Sequence, residues 1–179
     1  MIETPFIPFP ELTTNRLLLR QLEAGDKLAI FAHRSNDEVN TWLDDFRHSS
    51  VEQTEAFINR VQGEIARGQS ILWVLTQKGD PAFMGTICLW NISKEQDKAE
   101  IGYTLDPAHH RMGYMHEALV KVIDFGWHTM KLQQIEAYTH ERNAGSIRLL
   151  IKNHFRQQAK PQKPVPPNRV FFTLTKDKG

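Results

Sequence analysis

Ten consecutive residues, His109 to Ala118, read His-His-Arg-Met-Gly-Tyr-Met-His-Glu-Ala and carry the clearest chemical signal of the chain. Just before them, Ala99-Glu-Ile-Gly-Tyr-Thr-Leu105 reads as a strand. Asp106-Pro107 ends it, because proline has no N–H for a ladder and fixes its own φ. After Gly113 the period changes. Met115, Ala118, Leu119, Val122, Ile123 and Met130 recur at three- and four-residue steps, one face of a helix over about 113–130. The first N–H groups of a helix have no partner inside it, and the helix dipole places partial positive charge there. Glycine lets a ligand approach the backbone, and Arg111 adds a full charge, so the turn can hold a phosphate or pyrophosphate. The other reading is that Gly113 merely permits the turn and Arg111 is solvated.

Other reactive residue types carry less. Cys88 is the only cysteine and lies in the apolar run Met84-Gly-Thr-Ile-Cys-Leu-Trp90. That context fits a buried thiol rather than a nucleophile, and excludes an internal disulfide framework. No serine sits in a Gly-x-Ser-x-Gly elbow. His109, His110 and His116 do not have the spacing of a metal site, so no metal is expected. Trp42, Trp90 and Tyr103 can wall a pocket or simply fill the core. Glu38, Asp44 and Asp45 can attract a cation or form a solvated loop.

The elements that would position these residues follow in order. Residues 1–13, with three prolines, read as an irregular arm. Arg16–Gln21 reads as a buried strand. Asp26 can cap a helix over 27–33, and Ser35 or Asn36 a second one through Trp42. Ser50 with Gln53 forms a capping-box pattern ahead of an amphipathic helix that ends near Gly68. Strands are expected at 70–76, 82–90 and 98–105, then the long helix, a strand at 134–140 and a helix at 143–153. A polar strand at 155–159 and an apolar one at 170–175 close the chain, with the proline-rich loop 160–169 between them. The fold class is mixed α/β, and the 179 residues fit a single domain. The net charge of +1 gives no basis for nucleic-acid or membrane-surface binding. No apolar run reaches membrane-span length and the N-terminus does not read as a signal peptide, so a cytoplasmic location is expected.

Taken together, these stretches resemble the GNAT superfamily of acetyl-CoA-dependent N-acetyltransferases, and within it the ribosomal-protein N-terminal and polyamine acetyltransferases. Four motifs carry the resemblance: Thr14–Arg20 with Asp26, Ala99–Pro107, His110–Leu119, and Asn143–Leu150 followed by Lys152–Phe155. It implies a central, mostly antiparallel twisted sheet of about seven strands, helices on both faces and a V-shaped splay between the fourth and fifth strands. It further implies acetyl-CoA as cosubstrate and an amine acceptor as partner, with a homodimer possible by analogy. Cofactor contacts would fall on Tyr103, Leu105, His110, Arg111, Met112, Gly113, Tyr114, Met115, Asn143 and Ser146. The chain also departs from the pattern. His110 replaces the usual Gln or Arg, Leu150 stands where many members have a thiolate-protonating tyrosine, Ile151 replaces a glutamate and His154 a glycine.

Acetyl transfer to an amine needs a neutral amine, so a base must take a proton. Glu100 is the candidate: strand alternation places it with Gly102, opposite Ile101 and Tyr103. The alternative is a rim carboxylate paired to a lysine such as Lys98. Ser146 can orient the thiol or donate to the thiolate, or serve only as an early-helix serine, and Asn143 can be simply an N-cap. The favoured reading is an N-acetyltransferase acting on a protein N-terminal amine, with a small amine or polyamine as the alternative acceptor. A non-catalytic acyl-CoA-binding sensor is the reading from another class.

Overall fold

The inner strands form where apolar runs are continuous, and in the computed structural model, which describes residues 6–159, 161 and 163–176, Ile71 to Thr76 are all buried. In chain order the elements are β1 (Leu12–Thr13), β2 (Leu17–Gln21), α1 (Lys27–Ser35), α2 (Asp37–Asn40) and α3 (Val51–Ala66). There follow β3 (Ile71–Gln77), β4 (Asp80–Ser93), β5 (Lys98–Leu105), α4 (Tyr114–His128), β6 (Gln134–His140), α5 (Ala144–Lys152), β7 (Arg156–Gln158) and β8 (Arg169–Thr175). The strands make one sheet of eight in the order β1-β2-β3-β4-β5-β6-β8-β7. Every pairing is antiparallel except β5 with β6, which α4 connects as a crossover.

Helices cover both faces. Trp73 of β3 meets Phe125 of α4 edge-on, with ring centroids 5.2 Å apart. On the other face His33 of α1 lies 2.9 Å from Thr104 of β5. Strand alternation therefore sends Glu100, Gly102 and Thr104 toward α1, and Ile101 and Tyr103 toward α4 and α5.

The sheet has eight strands rather than about seven, because Leu12–Thr13 leaves the expected irregular arm to pair with Leu18 and Leu19. The second helix stops at Asn40, short of Trp42, and α4 ends at His128 rather than near residue 130. Ser50 caps α3 as its spacing predicts, accepting from the Gln53 N–H. Asp26 does not cap α1 with its side chain. Arg20 takes its carboxylate in two hydrogen bonds of 2.9 and 2.7 Å, and the Glu23 N–H donates to it as well. Among the described residues, no helix is long and apolar enough to cross a membrane.

Candidate active site

The site starts from a failure of strand pairing. β5 and β6 pair only at Lys98–Gln134, Ala99–Ile135 and Glu100–Glu136. Beyond that point β5 continues on β4 as far as Leu105, and β6 continues on β8 as far as His140. The two strands part, and the β5 edge from Ile101 to Leu105 has no ladder partner on the β6 side. Backbone amides at such an edge need partners, and an extended amide-bearing ligand can supply them.

At the open end of this V stands the start of α4. Gly113 is the N-cap, at φ +80°, and it offers no side-chain cap to the first-turn N–H groups. Arg111 also has positive φ, +62°, so the turn bends twice through the left-handed region. A cavity of about 690 Å³ connects this turn to the V. That volume lies in the range of ligand and cofactor sites. It is lined by Tyr103, Leu105, His110, Arg111, Gly113, Tyr114, Met115, Asn143 and Ser146, nine of the ten positions expected to meet the cofactor. The tenth, Met112, is exposed and does not line it. Glu38, Val39, Thr41, Trp42 and Leu43 also line it, so the cavity reaches α2 and the residues just after it.

Several of these side chains also hold the frame. His110 donates from Nε2 to the Leu105 carbonyl at 2.9 Å, tying the turn to the end of β5. Asn143 accepts the Ser146 N–H at 3.1 Å, so it is the N-cap of α5. The Ser146 hydroxyl is 2.8 Å from the Tyr103 phenol. Burial raises the Tyr103 pKa to about 12, against the lowering effect of the Ser146 bond, so the phenol stays neutral. Leu150, the position where a tyrosine is common, is fully buried core. A hydroxyl pair from β5 and α5 thus lies in the cavity that Leu150 cannot reach.

Glu100 sits at the apex of the V, at the last β5–β6 pair, and is 6% exposed. It does not line the cavity. Its carboxylate accepts from Asn91 Nδ2 at 2.9 Å and forms an ion pair with Lys163 of the proline-rich segment. Lys98, the partner suggested by sequence, bonds Glu136 instead at 2.7 Å. Cys88 packs beneath Gly102, and burial pushes its thiol up to about 12, leaving no thiolate for nucleophilic work. Of the acidic residues near α2, Asp44 is held by Arg169 at 2.6 Å, while Glu38 lines the cavity. The histidines form no metal cluster among the described residues.

Two site residues were not legible in the sequence. Arg16, on the approach to β2, donates to the Met112 carbonyl at 2.9 Å and to Glu117 at 2.8 Å, and stacks 4.2 Å from the Tyr114 ring centroid. Glu117 also accepts from Thr14 and from the Arg16 N–H. Burial acts to raise the Glu117 pKa, but these hydrogen bonds prevail and hold it below the usual carboxylate range. Arg16 therefore braces the turn from behind. Lys163 is the second. Neither contact has a local spacing signal, because both partners are distant in the chain.

Comparison with known proteins agrees with this geometry. The family model described as an acetyltransferase (GNAT) domain matches residues 16–156. The uncharacterized N-acetyltransferase YoaA of Bacillus subtilis strain 168 is 34% identical over 150 residues, covering 84% of this chain and 85% of that one. Among solved structures, the ribosomal-protein-S5-alanine acetyltransferase from Vibrio fischeri superposes with a TM-score of 0.81 at 18% identity, over 94% of this chain and 98% of that one. Mycobacterium smegmatis RimJ in complex with CoA-disulfide gives 0.79 at 20% identity, over 92% and 86%. At those identities the two structures establish the fold.

Proposed function

Because the chain belongs to the GNAT acetyltransferase family, we propose that it moves the acetyl group of acetyl-CoA directly onto a primary amine. The observation that carries this reading is the V between β5 and β6, opening onto the uncapped start of α4. The N–H groups of Arg111 to Met115, with the Arg111 charge, would hold the pyrophosphate. Tyr103, Leu105, Asn143 and Ser146 would meet the pantetheine arm. Bound there, acetyl-CoA supplies an activated thioester.

The chain's own groups do the rest. The Glu100 carboxylate takes a proton from the acceptor ammonium, directly or through water. Unpaired N–H groups along β5 donate to the carbonyl oxygen as negative charge develops. As the new C–N bond forms and the C–S bond breaks, the Ser146–Tyr103 hydroxyl pair donates to the departing sulfur. No covalent acyl-protein step is required, since orientation of the two reactants accounts for most of the work.

The family resemblance favours a protein N-terminal amine as acceptor. A small alkylamine is the second reading, favoured by one observation: an ammonium group already sits against Glu100. The test is thiol release from acetyl-CoA with Ser- and Ala-starting peptides, spermidine and aminoglycosides, with calorimetric CoA binding alongside. Turnover on one of these classes is expected. CoA binding without turnover on any amine would instead favour an acyl-CoA-binding sensor.

A further inference from the structure

Lys163, in the proline-rich segment, reaches the apex of the V. Its ammonium forms an ion pair with Glu100 and lies 5.0 Å from the Trp90 ring centroid and 4.6 Å from that of Tyr138. Trp90 and Glu100 are register partners across β4 and β5, and Glu100 and Glu136 form the last β5–β6 pair. Three walls thus meet around one ammonium: a carboxylate and two aromatic faces. This is the arrangement that binds an alkylammonium by charge and by ring quadrupole together. The approach is from solvent, since Trp90 is 42% exposed and the Lys163 side chain 38%.

Ion pairing alone does not explain the geometry. The two ring contacts add cation–π stabilisation that any primary ammonium at this point would share, and Asn91 already hydrogen-bonds the carboxylate, so the three walls do not depend on the lysine's own backbone. A lysine serving only to anchor the loop has no need to reach the point where two strands separate. An acceptor amine, in contrast, needs all three walls. Aromatic faces hold it while it is still an ammonium, and the carboxylate then accepts its proton.

We propose that the cage of Glu100, Trp90 and Tyr138 is the acceptor-amine subsite, that it selects a primary ammonium on a slender, unbranched alkyl stem, and that Lys163 occupies it as an internal competitor. The inference rests on the amine-acetyltransferase reading and narrows its acceptor to lysine-like side chains, diamines or polyamine ends. An acceptor enters only when the Lys163 side chain withdraws. The apparent affinity for acceptor is reduced by the fraction of molecules in which the cage is free.

The test compares the wild-type chain with K163A, K163R and W90A, using 1,5-diaminopentane and N-acetyl-lysine methylamide beside Ser- and Ala-starting peptides. If Lys163 fills the cage about nine-tenths of the time, K163A lowers KM for the diamine about tenfold and leaves kcat nearly unchanged. Calorimetry without acetyl-CoA shows the same tightening of diamine binding. K163R, whose planar guanidinium fits a primary-ammonium cage less well, lowers KM by less than K163A, and W90A raises it. Thermal melts of each variant report folding separately. The proposal is overturned if K163A turns over with KM for both alkylamines unchanged or raised, or if only the peptides are acetylated by either protein. Thiol release from neither protein with any amine, despite intact CoA binding, removes the amine-acetyltransferase reading and this inference with it.

Discussion

At the scale of single residues, Glu100 and His154 lead to distinct predictions. Glu100→Gln keeps the shape and the Asn91 contact but removes the base. If Glu100 takes the acceptor proton, kcat falls about 10²-fold or more while CoA binding measured by calorimetry is unchanged. Equal kcat in the two proteins would leave Glu100 as only a partner for Lys163. His154 stands at φ +66°, in the left-handed region that favours glycine. An L-residue in the left-handed region is penalised by about 1–2 kcal/mol, and histidine tolerates it better than most. His154→Gly therefore stabilises the fold by about 1 kcal/mol, seen as a higher midpoint in urea. The residues readable in the sequence, Gly113, Asn143, Ser146 and Tyr103, stand within or next to local patterns: a turn, a cap, an alternating strand. Lys163 lies in a segment whose prolines declare only that it is irregular, so its arrival at Glu100 had no local signature.

At the scale of elements, the turn before α4 is held by the short connection between β1 and β2. Arg16 and Thr14 clamp Glu117 in the first turn of α4, and Arg16 also takes the Met112 carbonyl. An alanine at position 113 would place its Cβ 3.3 Å from Arg16 Nη2, and would still need φ +80°. Glu117→Gln loosens the clamp, and CoA affinity is expected to fall by about 1 kcal/mol, roughly fivefold in Kd. The same variant has a pH signature. The Glu117 pKa is depressed in the folded state, so its stabilisation is present above the unfolded value and lost as pH falls through the folded one. The difference in Tm between wild type and E117Q should hold from pH 7 to 5 and close below about pH 4. Unchanged separation at low pH would assign the effect to packing alone. Helix α4 was legible because its apolar period spans four turns. β1 was not, because a two-residue strand has no period, and its pairing depends on Leu18 and Leu19 elsewhere in the chain.

At the scale of the whole molecule, the antiparallel run β3-β4-β5 and the crossover through α4 were readable from short turns and one long helical period, and the sheet with its splay from the family resemblance, while the contacts between α1 and the sheet were not readable. Those contacts include a buried histidine. His33 is 3% exposed, 2.9 Å from Thr104, and lies against Phe83 and Phe46 at ring distances of 5.2 and 6.1 Å. Its Nδ1 has no hydrogen-bond partner among the described residues. Burial lowers its pKa from 6.5 to about 4, with Asp106 opposing and Arg34 and His110 assisting. The unfolded chain therefore takes up a proton first as pH falls. Stability from this site is complete above about pH 6.5 and drains away toward pH 4, with a limiting slope near 1.4 kcal/mol per pH unit. Because Thr104 belongs to the β5 stretch that bounds the V, the loss also loosens α1 from the wall of the site. Urea unfolding at pH 6.5 and 5.0 tests this with His33→Gln, which preserves a hydrogen bond to Thr104 but does not titrate. The wild-type chain should lose about 1.5 kcal/mol more than the variant over that interval. An equal loss in both would mean that the folded protein accepts the proton on His33 as readily as the unfolded chain does, and that α1 opens from β5 at little cost.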